Sequence, residues 1–316
     1  MHIQQGETSS RRLSSRQQSS NMFPFTFAYR TIAHEGHPER NEDALLVDRR
    51  RGLAGVFDGV GGSSAGAVAS QLGARIMRQT WRRVLSQAEN KSDLLILNGE
   101  LDIESLLQQL FEQAQTAISN EGERRAKEAA QANYSYPSTT TAVAALCKKP
   151  DEKGYVLGYA HVGDSRAYLL RQGASLQRLT VDDGYFLLKV QDETISEEDA
   201  LRIDQATDAD QLSDAELEIF EKRNGITQSL GHFTAKKTSL TIHTAQTSIF
   251  PGDRILLCSD GIHDNLTDAE IEAILRCGAR TTVARHLVQQ ALDRSREECL
   301  RAKQDDMSAI VITCNN

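Results

Sequence analysis

The sequence predicts an α+β fold in which mainly antiparallel sheets pack together and helices cover their outer faces. Three observations lead to this prediction. Short apolar runs bounded by charges and glycines are typical of strands, and longer amphipathic stretches are typical of helices. The elements do not alternate strictly, as they would in a doubly wound fold. The 316 residues, 39% of them hydrophobic and 25% charged, suffice for a domain of about 200 residues or more.

The first half of the chain is predicted to contain two strands followed by two helices. Strands are predicted at residues 44–47 and 53–57, where apolar side chains stand between charged residues and glycines. A helix is predicted over residues 65–87, because two serines provide an N-cap and apolar residues recur behind them near helical spacing. Residues 103–132 have a similar apolar face and predict a second helix.

Strands are predicted again after Pro137, and two further helices come before the last strand. The predicted strands span residues 139–147, 154–161, 166–171, 239–244 and 254–258. Helical patterns follow at residues 268–276 and 281–299, and a strand at residues 308–313 closes the chain.

Two polar segments stand apart from this pattern. Residues 1–22 contain Ser, Gln and Arg with few apolar side chains, which predicts a disordered tail in front of a single domain over residues 23–316. A surface insertion, the flap, is predicted at about residues 183–223. Between Asp182 and Glu221 there are fourteen acidic residues against two basic ones. This charge favours basic substrates, or it only aids solubility.

Charge, hydropathy and cysteine use exclude several classes of protein. A net charge of −8 argues against a nucleic-acid binder, which needs a basic surface. The chain lacks the run of about 18 to 20 apolar residues that a membrane span requires. Five scattered cysteines without a CxxC pair argue against a zinc or redox site and fit a reducing compartment. We therefore expect a cytoplasmic protein.

Four aspartates stand at the borders of apolar runs, three of them beside glycine or another small residue. They are Asp58, Asp164, Asp260 and Asp305. A strand that ends in Asp carries its carboxylate to the rim of a sheet, and several such ends would form a cluster that only a divalent cation neutralises. Without Cys or His at ligand spacing, Mn²⁺ or Mg²⁺ is favoured over zinc. The alternative is that each Asp-Gly pair is only a turn.

Eight segments of the sequence form an ordered series. They read NEDA at 41–44, VFDGVGG at 56–62, STTTA at 138–142, HVGDSRAY at 161–168, LTVD at 179–182, ITQSLG at 226–231, PGDRILLCSDG at 251–261 and DDMS at 305–308. In this order they resemble the motifs of the metal-dependent type 2C serine/threonine protein phosphatases of bacteria, over about residues 28–313. One Asp-Gly pair is weak evidence, whereas eight segments in one order are strong.

The resemblance implies two stacked antiparallel sheets flanked by helix pairs, in an α-β-β-α arrangement with a binuclear Mn²⁺ or Mg²⁺ centre at one rim. By this resemblance Asp58 bridges the two ions and the Gly59 carbonyl completes one of them. Asp260 and Asp305 hold the other ion. A backbone carbonyl can reach a metal only where no side chain crowds it, which suits a glycine.

Two further aspartates are implied to take part. Asp43 acts through bound water, and Asp164 joins Asp260 in a weaker third-ion site. The resemblance implies a metal-bridging hydroxide that attacks the phosphorus of phosphoserine or phosphothreonine without a phosphoenzyme. It also implies a monomer with phosphorylated protein substrates and an opposing Ser/Thr kinase. The alternatives are a catalytically weak phosphopeptide-binding regulatory module and a hydrolase of small phosphate esters.

The sequence departs from the family pattern near the implied centre. The arginine that usually grips the substrate phosphate is replaced by Pro38, so either Arg40 takes its role from a shifted loop or Arg40 is a solvated loop residue. Val60 and Asp183 stand where relatives often have histidine. Asp306 replaces a frequent asparagine, and its carboxylate either tunes metal affinity or is solvated.

Overall fold

Two stacked sheets form the centre of this protein in a computed structural model, which describes residues 24–61, 64–87, 94–97, 102–129, 134–149, 154–231 and 240–315. The predicted tail lies outside these residues. The strands are β1 (Phe25–Ile32), β2 (Ala44–Asp48), β3 (Leu53–Val60), β4 (Leu95–Ile96), β5 (Ser138–Lys148), β6 (Tyr155–Val162), β7 (Arg166–Leu170), β8 (Gln177–Arg178), β9 (Leu230–Gly231), β10 (His243–Ile249), β11 (Arg254–Cys258) and β12 (Met307–Cys314). The helices are α1 (Ser64–Gln87), α2 (Ile103–Ala129), α3 (Tyr185–Gln191), α4 (Glu197–Asp204), α5 (Asp214–Glu221), α6 (Asp260–His263), α7 (Asp268–Cys277) and α8 (Val283–Ser295).

The strands divide into two sheets that are almost entirely antiparallel. One sheet has the order β1-β12-β11-β7-β8, and the other has the order β10-β6-β5-β3-β2. Strands β4 and β9 also pair with β5, and the short β4–β5 contact is parallel. The first and last strands of the chain, β1 and β12, are neighbours, with Phe25 paired to Cys314.

Apolar side chains fill three interfaces between four layers. Between the sheets, Val56 and Ala144 belong to one buried cluster with Ile255 and Ile310. Helices α1 and α2 pack on the sheet that contains β3, and helices α7 and α8 pack on the sheet that contains β11. The predicted sandwich with flanking helix pairs is therefore confirmed. Among the described residues, every helix is too short or too polar to cross a membrane.

Several element boundaries differ from the predictions. Strand β1 was not predicted, and β10 spans residues 243–249, where the sequence predicted a strand at residues 239–244. The last helix ends at Ser295, although the sequence predicted its end at residue 299. Residues 296–298 carry charged side chains, and residues 296–299 form a turn followed by bends. Residues 130–132, the predicted end of the second helix, lie outside the described residues.

The flap folds as three short helices, α3, α4 and α5. Ile203, Ala206 and Phe220 form a small buried cluster inside it. Arg166 of β7, which is 2% exposed, pairs with Asp182 in front of the flap and with Asp204 at the end of α4. The flap is thus fastened to the sandwich by buried charges.

Candidate metal centre

A cavity of about 300 Å³ opens where strand ends of both sheets meet. Five of the seven predicted site residues line it: Asp58, Gly59, Asp164, Asp260 and Asp305. The predicted convergence of these carboxylates on one site is thus present in the structure. The other two, Asp43 and Arg40, are absent from the described lining residues.

Each lining aspartate stands at the end or beginning of a regular element. Asp58 lies near the end of β3, where the Thr139 hydroxyl donates to the Asp58 carbonyl at 2.7 Å. Asp164 follows β6, and Asp260 begins α6 directly after β11. Asp305 precedes β12, the neighbour of β11. Because strands end at the sheet rim, the side chains meet there.

Glycines allow the segments around the cavity to approach closely. A Cβ atom on Gly59 would lie 2.5 Å from the Gly66 carbonyl carbon and 2.6 Å from the Glu42 carbonyl oxygen. A Cβ atom on Gly261 would lie 2.1 Å from the Asp306 carbonyl oxygen. Both contacts are to backbone, so a side chain at either position would push the segments of the site apart.

Burial and like charges raise the pKa of several carboxyl groups. Burial first, and then Asp260 and Asp43, hold the pKa of Asp58 well above its usual range. Asp43 is also buried, and the pKa of its carboxyl is raised by burial and by nearby Asp306. Among the described residues, neither Asp43 carboxylate oxygen has a hydrogen-bond partner of good geometry, and the nearby Ser308 hydroxyl donates to Thr31 at 2.8 Å.

The charges of the cavity are strongly unbalanced. Its lining contains six acidic residues, namely Glu42, Asp58, Asp164, Asp260, Asp305 and Asp306. Lys303 carries the only ammonium or guanidinium group among the described lining residues, and it pairs with Asp260, Asp264 and Asp305. Asp260 Oδ1 still has no hydrogen-bond partner in the part of the chain that the structure describes. One ammonium cannot balance this charge, so the donor set of carboxylate and carbonyl oxygens fits Mn²⁺ or Mg²⁺.

The carboxylates are spread over the cavity. Within the described part of the chain, no three of them bring ligand oxygens within 4.8 Å of one another. This spacing suits several cations held by different pairs of carboxylates.

Arg40, the predicted phosphate contact, lies beside the cavity. Its Nε is 3.1 Å from Glu42 Oε1, and its carbonyl oxygen is 2.9 Å from His37 Nδ1. His37 itself lines the cavity. A role of Arg40 in phosphate binding therefore stays a prediction.

Asp306 has a role that neither sequence interpretation considered. Its side chain is buried, so it is not solvated. Oδ1 accepts a hydrogen bond from the His34 amide and Oδ2 accepts one from the Glu42 amide, both at 2.6 Å. The carboxylate thus fastens the loop between β1 and β2 over the cavity, and an asparagine, with one acceptor oxygen, could bind only one of these amides.

Asp183 belongs to a second cluster that the sequence did not indicate. Strand register pairs His161 with His243, and their rings stack at 4.7 Å. His243 Nε2 lies 3.0 Å from Asp183 Oδ1, and His161 Nε2 lies 2.8 Å from the Val181 carbonyl oxygen. Ligand atoms of the three side chains lie within 4.8 Å of one another. Each imidazole therefore has a hydrogen-bond partner. Through these contacts the cluster links β6 and β10 to residues 181–183, where the flap begins.

Known proteins resemble this chain in sequence. The sequence pattern of the family described as Protein phosphatase 2C matches residues 32–301. Serine/threonine protein phosphatase PstP of Mycobacterium tuberculosis is 30% identical over 252 residues, which are 80% of this chain and 39% of PstP. The chain thus spans well under half the length of that curated relative. Serine/threonine phosphatase stp of Listeria innocua is 27% identical over 240 residues, 76% of this chain and 78% of that protein.

Solved structures resemble the fold. The crystal structure of Mycobacterium tuberculosis PstP/Ppp has a TM-score of 0.66 at 23% identity and covers 92% of this chain and 99% of that chain. The catalytic domain of PstP in complex with two manganese ions has a TM-score of 0.62 at 24% identity, with the same coverage. These likenesses show a shared fold. With the match over residues 32–301, they place this chain in the protein phosphatase 2C family, as the eight ordered segments predicted.

Proposed function

We propose that this chain is a metal-dependent protein phosphatase that hydrolyses phosphoserine and phosphothreonine. The observation that carries the proposal is the meeting of Asp58, Asp164, Asp260 and Asp305 in one cavity with far more negative than positive charge. Family membership supports the same activity. The cavity lies at the surface between strand ends, where a phosphorylated side chain of another protein can enter.

Two divalent ions, Mn²⁺ or Mg²⁺, would be held by Asp58, the Gly59 carbonyl, Asp260 and Asp305. Asp164 and Asp260 would hold a third, and Asp43 would act on the ions through bound water. Such ions supply Lewis acidity, which makes water nucleophilic near neutral pH and neutralises charge on a phosphoryl group. The chain itself holds the carboxylates on strand ends, so little conformational entropy is lost when the ions bind.

The structure does not support a cysteine thiolate as an alternative nucleophile for phosphate hydrolysis. Among the described residues that line the cavity there is no cysteine. Cys147 and Cys258 are buried in strands, and burial raises the pKa of the Cys147 thiol to about 12. A thiol with a raised pKa is a poor nucleophile because the thiolate is the reactive form.

A phosphate-release assay tests the proposal. The wild-type protein is expected to hydrolyse a phosphothreonine peptide only with added Mn²⁺ or Mg²⁺. Asp58→Ala or Asp260→Ala is expected to lower kcat by about 100-fold or more, because each removes an ion ligand. Asp293→Ala removes an exposed carboxylate from α8 and serves as the control with unchanged activity.

Two other outcomes would favour the alternatives. Binding of the phosphopeptide without turnover would favour a phosphopeptide-binding regulatory module, for which the replacement of the usual arginine by Pro38 is the motivating feature. Turnover of p-nitrophenyl phosphate but not of phosphopeptides would favour a hydrolase of small esters. Full activity of a folded, metal-loaded Asp58→Ala protein would contradict the assignment of the site.

We infer further that phosphoproteins with basic residues around the phosphorylated side chain are preferred substrates, and that a Ser/Thr kinase opposes this enzyme. Asn224 and Ile226, directly after the flap, line the cavity, so bound substrate would lie beside the acidic helices. Charges of opposite sign attract over about 8 Å at physiological ionic strength, which increases encounter rates.

A further inference from the structure

Lys303 places a positive charge among the carboxylates of the candidate metal centre. Its Nζ lies 2.8 Å from Asp264 Oδ2 and 3.1 Å from Asp305 Oδ2, and it also donates a hydrogen bond to Asp260 Oδ2. The Lys303 side chain is 15% exposed, so these contacts form largely away from water. Charge-assisted hydrogen bonds are strong in such surroundings.

The backbone that carries Lys303 is held on both sides. The Asn265 side chain accepts a hydrogen bond from the Lys303 amide at 3.0 Å and donates one to the Lys303 carbonyl at 2.9 Å. Two residues earlier, the buried Arg301 donates to the carbonyl oxygens of Ala206 at 3.2 Å and His263 at 2.6 Å. The segment cannot shift without breaking these bonds, so the ammonium is positioned by the fold.

The ammonium and a divalent ion need the same oxygens. Asp260 and Asp305 are proposed ion ligands, and both contact Lys303 Nζ. Asp264, the third partner, is not among the predicted ligands, and it binds Lys303 from the end of α6. An ion that coordinates the Asp260 and Asp305 oxygens must therefore displace the ammonium or share the carboxylates with it.

We propose that Lys303 is a tethered cation of this centre, which holds Asp260, Asp264 and Asp305 together without an ion and weakens divalent-ion binding at Asp260 and Asp305. The inference rests on the proposed function, because it concerns the same cavity. It follows that the protein needs a higher Mn²⁺ or Mg²⁺ concentration than a variant that lacks the charge. Lys303 thus sets the ion concentration at which the centre fills.

Calorimetric titration of the metal-free protein with Mn²⁺ tests this proposal. Lys303→Met keeps the side-chain length and removes the charge. We expect its Mn²⁺ dissociation constant to fall about tenfold or more, because the competing cation is absent. The melting temperature of the metal-free variant is expected to fall, since buried carboxylates lose their partner, and Mn²⁺ is expected to restore it. Lys127→Met, on the exposed face of α2, is the control with unchanged values.

Two more variants complete the test. Lys303→Gln removes the charge but keeps hydrogen-bond donors. If Lys303→Met does not fold without metal, the same titration is made with Lys303→Gln. Lys303→Arg retains the charge and is expected to bind Mn²⁺ less tightly than Lys303→Met. If the two neutral variants bind Mn²⁺ no more tightly than wild type, the proposed role of Lys303 is overturned, while the proposed function is unaffected. Failure of wild type and all variants to bind Mn²⁺ would overturn the proposed function as well.

Discussion

At the scale of single residues, Gly59 is where a small change is expected to damage the centre. An added Cβ would lie 2.5 Å and 2.6 Å from backbone atoms of Gly66 and Glu42, which cannot rotate away. We expect Gly59→Ala to reduce the free energy of unfolding by about 1–3 kcal/mol, measured by urea denaturation. At Gly154 an added Cβ meets nothing within 4 Å, so Gly154→Ala is the control. Equal losses in the two variants would contradict this account.

The buried carboxylates predict that Mn²⁺ binding releases protons. Because burial and mutual repulsion raise the pKa values of Asp58 and Asp43 well above the usual range, the metal-free centre retains protons at a pH where an exposed aspartate is ionised. Ion binding requires the ionised form, so affinity should rise with pH until these protons are lost. Calorimetry in buffers of different ionisation enthalpy measures the protons released. A pH-independent affinity with no proton release would be inconsistent with the site.

Residues whose place follows from the local pattern could be predicted from sequence. Asp58, Asp164 and Asp260 each follow an apolar run, and the end of a strand fixes where its side chain lies. Lys303 stands in a polar segment without such a signal. Its place depends on Asn265, which is 38 residues away in the chain, and so on tertiary packing.

At the scale of elements, the attachment of the flap depends on a buried arginine. Arg166 Nη2 lies 2.6 Å from Asp182 Oδ2 and 3.1 Å from Asp204 Oδ1. Burial alone would raise the pKa of Asp182, but the attraction of Arg166 lowers it to about 2. We expect Arg166→Met to cost about 3 kcal/mol of unfolding free energy, because buried Asp204 and partly buried Asp182 lose their shortest ion pairs. They keep only Arg178, whose Nη1 lies 3.5 Å from Asp204 Oδ2 and 4.0 Å from Asp182 Oδ2.

An exposed arginine of the same flap provides the matched control for this measurement. Arg202 is about half exposed and pairs with Asp199 at 3.1 Å. Arg202→Met is expected to change the free energy of unfolding by less than about 1 kcal/mol. Guanidinium denaturation of both variants checks the difference. A similar small effect of Arg166→Met would mean that the buried pairs do not hold the flap.

Elements with a strong apolar pattern could be predicted, and elements that depend on distant partners could not. The apolar patterns of α1 and β5 predicted the type and position of both elements correctly, apart from their end residues. Strand β10 contains several polar residues and pairs only with β6 among the described strands, so its apolar signal was weak and its position was predicted wrongly. Helices α3 and α4 are short, and in α4 only Ile203 and Asp204 are buried.

At the scale of the whole molecule, the acidic flap predicts charge-dependent substrate choice. We expect kcat/KM for a phosphopeptide with basic flanks to fall as salt rises, since screening weakens long-range attraction. For a peptide with acidic flanks the salt effect should reverse. Replacing Glu197 and Glu198, two exposed acids of α4, by glutamine should reduce both effects. If kcat/KM for the two peptides depends on salt in the same way, the acidic flap does not steer substrates by charge.

We propose that carboxylates brought together by the strand ends of both sheets hold divalent ions. The most direct measurement is anomalous X-ray diffraction at the manganese edge from crystals grown with Mn²⁺. We predict at least two anomalous peaks in the cavity lined by Asp58, Asp260 and Asp305. Well-ordered crystals with these side chains in place and no anomalous peak in the cavity would contradict the claim.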